Sequence, residues 1–573
     1  MKSRLATALL AGAASFVLLS ACSTPADTEI AAAEAAMPMQ APVLQAEAPT
    51  GQLPEGVRPT AYRLDLVTDP NAASFTGHEE IDLALDKPHA RIWMHALGPV
   101  VSSVKAVLPD GMEIAATFTG DEAADGVSRI DFAAPLPAGP ATLVIDYEAP
   151  YNLNLAGLYK VEQAGLPYLV TQMEPIDARR MFPSFDEPRF KTPYTLTVTA
   201  PEGMEVAANG AETGSEDLGN GMVRHSFATT RPIQSYLVAL MVGPYDEVIA
   251  EPIPATEVRA EPVPLRGFAA AGKGEKLAAA LDITDEMVEW QEAYFDYPYP
   301  YGKLDLIAAA DFAYGAMENA GAIVYRESAL LIDDRTSLAR RRAIFNTHAH
   351  ELGHQWFGNL VTPAWWNDIW LNEAFATWIS SKTMNGIDPD GEWDLAPIQS
   401  SLTAMPTDSL ASTRQIRNPI RTNGDINDAF DSITYRKGGS VLNMFETYLG
   451  EDALMACACT CAASRMAWPR PKTSCRALPT GPANRRSCRL SPPSSPSRAF
   501  HSWTCRSAAP AGRARWPSRK AATRRSGRPS TPKPRPGKSP LRPACMTRPA
   551  ITSSGRCCPA RAAQSRWIAA RTG

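Results

Sequence analysis

The run His350-Glu351-Leu352-Gly353-His354 constrains this chain more tightly than any other stretch of it. Residues four apart share one face of an α-helix, so two imidazoles at this spacing can grip one metal ion. The carboxylate between them lies close enough to address a metal-bound water. The surrounding RRRAIFNTHAHELGHQWFGN contains no proline and offers Gly358-Asn359 as a C-terminal stop, which predicts a helix. His348 stands at the wrong spacing for ligation and is expected to pack. A catalytic zinc usually takes three protein ligands and a water, so two histidines leave the site incomplete. Glu373, nineteen residues after His354 in NDIWLNEAFATWIS, is the candidate third ligand. Asn367 or Asp368 is expected to cap that second helix, and Trp370, Leu371, Phe375 and Trp378 to pack it. The loop containing Pro363 would return it against the first helix. An unpaired buried acid is costly, so the apolar neighbours of Glu373 argue that it has a partner.

Upstream the pattern is β. From about Leu53 to Glu251, YRLDLV, EEIDLALD, RIWMHAL, SRIDFAAPL and ATLVIDYEA alternate apolar with polar residues between Pro, Gly, Asp and Asn turns. Strands at this spacing predict a sandwich or a saddle-shaped open sheet. From about Lys273 the period turns helical, and LAAALDITDEMVEWQEAYF reads as an amphipathic helix. Near the end of the patterned region, GGSVLNMFETYLGEDAL places Val441, Leu442, Phe445, Tyr448 and Leu449 on one helical face. No internal repeat is visible.

Composition changes abruptly near Met455. Residues 1–455 hold all 61 Asp and Glu with 31 of the 56 Lys and Arg, a net charge of −30; the last 118 hold 25 bases, no acid and nine of the ten cysteines. This excludes an evenly composed enzyme and a disulfide scaffold in the first part. It also argues against an integral membrane protein, because no apolar run after the first twenty residues is long enough to span a bilayer as a helix. The tail follows neither a helical nor a strand period, and its CACTC and CC clusters have no metal-like spacing. It reads as out-of-frame translation of a GC-rich gene, as a disordered low-complexity tail, or as a basic arm drawn to phosphates. Loss of every acid with gain of Arg, Pro, Ser and Cys favours the first, so the tail is assigned no function and no nucleic-acid partner. At the other end, Lys2 and Arg4 precede an apolar stretch from Leu5 to Leu19, a targeting segment that ends in LSAC at Cys22. LSAC resembles the lipobox of bacterial lipoproteins, whose cysteine is lipidated after cleavage; an ordinary signal peptide with an incidental cysteine is the alternative. With Ser23 following, the resemblance implies a lipid anchor in the bacterial cell envelope, at the outer membrane or in the periplasm.

HELGH, seventeen residues, then NEAFA, which leaves eighteen between His354 and Glu373, is similar to the gluzincin metallopeptidases. Gly315-Ala316-Met317-Glu318-Asn319 is the GAMEN signature of the aminopeptidase N family, which also includes the bifunctional leukotriene hydrolase. TQMEPIDARRMFPSFDEP (Thr171 to Pro188) and TYRKGG (Thr434 to Gly439) match too, in the family's order. The resemblance covers about residues 53–455. It departs at Ala374, where Gly is common, and at Arg436, where Glu often follows the tyrosine.

The resemblance implies a multidomain α+β chain. Its parts would be a lipoprotein signal peptide (1–22), a flexible tether (23–52) and an N-terminal antiparallel β-sheet domain, saddle or sandwich (53–251). A thermolysin-like α/β zinc metallopeptidase domain, C-terminally incomplete, would occupy 252–455, followed by an irregular tail (456–573). One zinc ion would sit on His350, His354 and Glu373, with Glu351 as general base and Tyr435 as oxyanion donor. Glu174 and Glu318 would bind the α-ammonium of a peptide with a free N-terminus, with Gly315, Ala316, Met317 and Asn319 beside it. Asp186 and Glu187 are expected to be structural, pairing with Arg179, Arg180 or Lys191. Family members continue into a helical domain that closes over the site, so catalytic-domain surface is expected to face water here. Two other functions stay open: a peptide-binding lipoprotein or inactive homologue without turnover, and a leukotriene-hydrolase-like epoxide hydrolase.

Overall fold

The computed structural model describes residues 47–120, 125–451 and 453–454. Cys22, the leader and the tail from 456 lie outside these residues. Strict alternation builds the first part. Ser74–Leu85 turns Phe75, Gly77, Glu79, Ile81, Leu83 and Leu85 to one buried face while the alternate positions look outward. Ten such strands form one sheet, in the order Glu212–Asp217, Met222–Phe227, Tyr194–Pro201, Val57–Val67, Ser74–Leu85, Gly139–Pro150, Val100–Val107, Glu113–Thr119, Val127–Leu136, His89–His95. The expected antiparallel sheet holds with one exception. Val57–Val67 runs parallel to Tyr194–Pro201, with Tyr62 opposite Tyr194 and the two rings stacked at 4.8 Å. A four-stranded antiparallel sheet lies beside it: Glu205–Ala208, Leu240–Gly243, Leu166–Gln172 and Gly157–Gln163.

The third sheet starts the helical region. Leu265–Ala270, Leu304–Ala309 and Ala322–Arg326 are parallel, with Tyr245–Ile249 and Ala316–Met317 added antiparallel at the two edges. Parallel strands must be covered on both faces, and these runs are accordingly mostly apolar, with Arg266 and Asp305 paired to each other at 2.8 Å. One face shares a core with the N-terminal sheets through Phe268, Ile307, Met317 and Val324. The other packs Leu306 and Ile323 with Leu281, Val288, Leu352 and Trp356 of the helices.

The helices of this region are α1 (Ala278–Phe295), α2 (Leu338–His354), α3 (Trp370–Ile387), α4 (Ala396–Asp408) and α5 (Gly438–Leu449). Ser337 caps α2 by accepting from the Arg340 amide at 3.3 Å. The helix stops at His354, short of the expected Gly358, because the chain there folds into a turn closed by Gly358 N donating to Val361 O. Neither Asn367 nor Asp368 caps α3, whose N-cap is Ile369; Asp368 instead accepts from Arg417 at 2.7 Å. Phe375 and Trp378 pack α3 as expected, joined by Leu442 of α5. The predicted common face of α5 divides: Leu442 is buried, while Phe445, Tyr448 and Leu449 are exposed, as are Ile398, Leu402 and Met405 of α4. Among the described residues, no helix is long and apolar enough to cross a membrane.

Candidate active site

Helix periodicity sets His350 and His354 on the face of α2 that meets α3, and α3 presents Glu373 from its first turn. The two Nε2 atoms are 2.9 Å apart, and Glu373 Oε2 lies 3.3 Å from the first and 3.4 Å from the second. That oxygen is buried and has no hydrogen-bond partner among the described residues. Burial alone would raise the Glu373 carboxyl, but the two imidazoles outweigh it and hold it at about 2. Burial likewise opposes charge on His354, yet Glu318 and Glu373 keep its imidazole well above its usual range. Burial and the neighbouring His354 push His350 down. Three ligand atoms converge on one point, two nitrogens and one carboxylate oxygen, all within 4.8 Å of one another. This is the donor set of a catalytic zinc site, and the orphaned oxygen calls for a cation there.

Glu318, Glu351 and His354 form a second trio of similar spacing. His354 Nδ1, 3.7 Å from Glu318, is already engaged by Asn372 Oδ1 at 2.5 Å. The amide of Asn372 is oriented by its other end, where Nδ2 donates to Glu318 Oε1 at 3.0 Å. A carboxylate can only accept, so Nδ1 of His354 carries a hydrogen and Nε2 is the ligand atom, facing His350 and Glu373. Gly358 permits this arrangement. Its φ is +123°, and a Cβ there would stand 2.0 Å from Asn372 Oδ1.

Glu351, a member of the second trio, is buried; burial raises its carboxyl well above the carboxylate range, with Glu318 and Glu373 adding to the effect. Tyr435 sits in a π-wound turn, Ile433–Lys437, that leads into α5. Its hydroxyl donates to Glu373 Oε1 at 2.7 Å and its ring stacks on His350. Burial and Glu373 push that hydroxyl well up, so it stays a neutral donor. The turn can press on α3 because Gly438 has no Cβ; one would meet Ala374 Cβ at 2.7 Å.

Ala316–Met317 forms the edge strand of the third sheet, opposite Tyr325 and Val324, with Gly315 leading into it. Glu318 follows, buried, its carbonyl accepting from Gln355 Nε2 at 3.0 Å and Asn359 Nδ2 at 2.7 Å. Glu174 follows the strand Leu166–Gln172. It is buried with Oε1 unpartnered among the described residues, and burial together with Glu318 raises its carboxyl. The side chains of Met317 and Asn319 are engaged elsewhere. Met317 is core, and the Asn319 amide donates to the carbonyls of Leu237 and Val238, tying the loop to the N-terminal part.

The structural pairs are redistributed. Asp186 takes Arg179 at 2.9 Å as expected, but Glu187 takes Arg189 at 2.6 Å and Arg180 takes Asp177 at 2.5 Å. Lys191 pairs with no carboxylate among the described residues; it donates to the carbonyls of Asn359 and Leu360 at 2.8 and 2.9 Å, and burial lowers its amine to about 8. His348 packs between Thr284 and Tyr325, its imidazole lowered by burial to about 3. The supports that sequence reasoning missed are therefore Asn372, Gln355, Asn359 and Lys191. The available signal was a polar residue inside an apolar run, as Asn372 is in IWLNEAF.

Comparison with known proteins agrees with this geometry. Residues 58–237 match the Peptidase M1 N-terminal domain and residues 279–459 the Peptidase family M1 domain. Aminopeptidase M1-A of Oryza sativa subsp. japonica is 36% identical over 412 residues, covering 70% of this chain and 46% of that protein. Leucyl aminopeptidase of Saccharolobus solfataricus is 34% identical over 399 residues, covering 69% and 48%. Aminopeptidase M1 of Arabidopsis thaliana is 33% identical over 413 residues, covering 70% and 46%. The chain thus spans about half the length of the curated relatives it matches. Two domain matches in the family's order, aminopeptidases as relatives and a HELGH–Glu373 centre beside GAMEN lead to one conclusion: the chain belongs to the M1 peptidases, the aminopeptidase N family.

Proposed function

We propose that this chain carries the centre of a zinc-dependent aminopeptidase, which hydrolyses the N-terminal residue from peptides. His350, His354 and Glu373 would hold one zinc ion, which when bound supplies Lewis acidity toward a water and the scissile carbonyl. Glu351 takes the proton of the attacking water and passes it to the leaving amine. Its high proton affinity suits a group that must hold that proton between the two events. Tyr435 offers its hydroxyl to the oxygen on which negative charge develops. The outer edge of Ala316–Met317 can add the substrate backbone as a further strand, with Gly315 leaving room for it.

The observation that carries the exopeptidase reading is the surplus of buried carboxyl groups. Glu174 and Glu318 stand beside the metal trio with no arginine or lysine neutralising either among the described residues. Buried acids of this kind require a cation, and a peptide α-ammonium supplies one at a fixed distance from the metal ligands. The test is hydrolysis of leucine p-nitroanilide and of its N-acetyl derivative, each with and without a chelator. The reading expects turnover of the free amine alone, abolished by the chelator. Equal turnover of both, or turnover that resists the chelator, contradicts it.

For the envelope location, the support is LSAC at Cys22 and the charged, apolar leader before it. Metabolic labelling with palmitate should mark the wild-type chain and not Cys22→Ala; equal labelling of both would rule the anchor out.

A further inference from the structure

Asn372 touches both halves of the site. It is fully buried and lies one residue before Glu373, so α3 carries it rigidly with a metal ligand. Its Oδ1 accepts from His354 Nδ1 and its Nδ2 donates to Glu318 Oε1. The backbone of Glu318 is held separately, by Gln355 and Asn359 on its carbonyl, but those bonds leave the carboxylate free to rotate. A glutamate side chain has three rotatable bonds, and without a fixed donor its charge would be spread over several rotamers. Gly358 also serves this contact, since a Cβ there would displace Oδ1.

We propose that Asn372 is a positioning residue that spans the metal-ligand imidazole of His354 and the carboxylate of Glu318, and so sets the distance from the metal at which a peptide's α-ammonium is held. The inference rests on the aminopeptidase reading above, in which Glu318 binds that ammonium. It assigns the side chain two separable functions: the oxygen, together with the Phe357 carbonyl 3.1 Å from Nδ1, holds the His354 tautomer for the metal, and the amide nitrogen fixes the amine anchor.

Asn372→Asp separates them. Aspartate has the same shape and still accepts from His354, but it turns an acceptor toward Glu318. Full-length wild type, Asn372→Asp and Asn372→Ala would be compared at pH 8 for zinc content and for calorimetric binding of leucinamide and N-acetyl-leucinamide. Asn372→Asp is expected to keep the zinc content of wild type and to bind leucinamide at least about tenfold more weakly, the usual loss when a hydrogen bond to a buried charge is removed. Its binding of the acetylated amide should not change. Asn372→Ala is expected to lose zinc as well. A merely structural asparagine would lower zinc and both ligands together in either variant. Undiminished preference of Asn372→Asp for the free amine overturns the proposal, as does loss of zinc in that variant. If wild type itself shows no preference for the free amine, the aminopeptidase reading falls and this inference with it.

Discussion

Replacing Glu373 by glutamine removes one charge and leaves the shape of the site intact, so its consequences can be worked out in advance. Zinc sites with four protein ligands bind with about 10–16 kcal/mol, or roughly 3–4 kcal/mol per ligand, which corresponds to two to three decades in affinity. Glu373 Oε2 faces both imidazoles at 3.3 and 3.4 Å with no competing hydrogen bond, so it is the oxygen free to join them on a metal. The metal-free chain changes as well. A carboxyl held at about 2 instead of 4.5 stabilises the fold by about 3 kcal/mol. Because the folded value is the depressed one, that contribution is complete above pH 4.5 and is lost as the pH falls toward 2. Glu373→Gln should therefore lose about 3 kcal/mol at pH 7 in the presence of a chelator. With zinc added it should recover far less than wild type. Urea unfolding with and without zinc measures both effects, and competition with a chelating dye gives the affinity. A Glu373→Gln protein that binds zinc within fivefold of wild type would refute the assignment of this carboxylate as a ligand.

Two further outcomes follow from the packing. Gly358→Ala puts a Cβ 2.0 Å from Asn372 Oδ1 at a φ of +123°, so strain and a lost hydrogen bond together should cost roughly 3–5 kcal/mol and lower zinc affinity; urea denaturation showing less than about 1 kcal/mol would contradict the close approach. Glu79 is fully buried in the ten-stranded sheet, neither oxygen has a partner among the described residues, and burial raises its carboxyl well above the usual range. Because the folded value is the raised one, wild-type stability should fall as pH climbs above about 4.5, and Glu79→Gln should remove that slope, gaining at pH 8 relative to wild type and little at pH 4. An equal gain at both pH values would count against it.

The parts of this molecule that local periodicity determines were legible in the sequence. The spacing of His350 and His354 requires a helix, and the alternation in SFTGHEEIDLAL requires a half-buried strand; both are present. What escaped depends on neighbours distant in sequence. The parallel pairing of Tyr62 with Tyr194 joins strands far apart in the chain, and no local pattern distinguishes it from an antiparallel one. Asp368 looked like a helix cap because capping is local chemistry, but Arg417 reaches it from another segment. The GAMEN motif sets Asn319 beside Glu318, whereas the two side chains point to different partners, Leu237 and Val238 for the first and Asn372 for the second. For the same reason the sequence marks Asn372 only as a polar residue in an apolar run: its role exists only once α2, α3 and the loop after Met317 have met.

The central claim is that a zinc ion on His350, His354 and Glu373 works with the buried base Glu351. Its most direct measurement is zinc content and leucine p-nitroanilide turnover on the same preparations of wild type and Glu351→Gln. Glu351 is placed beside the metal trio but outside it, so the substituted protein and wild type should each hold one zinc per chain, while the substitution lowers turnover by at least about a hundredfold. Turnover that survives the substitution would contradict the account, as would a wild-type chain that binds no zinc.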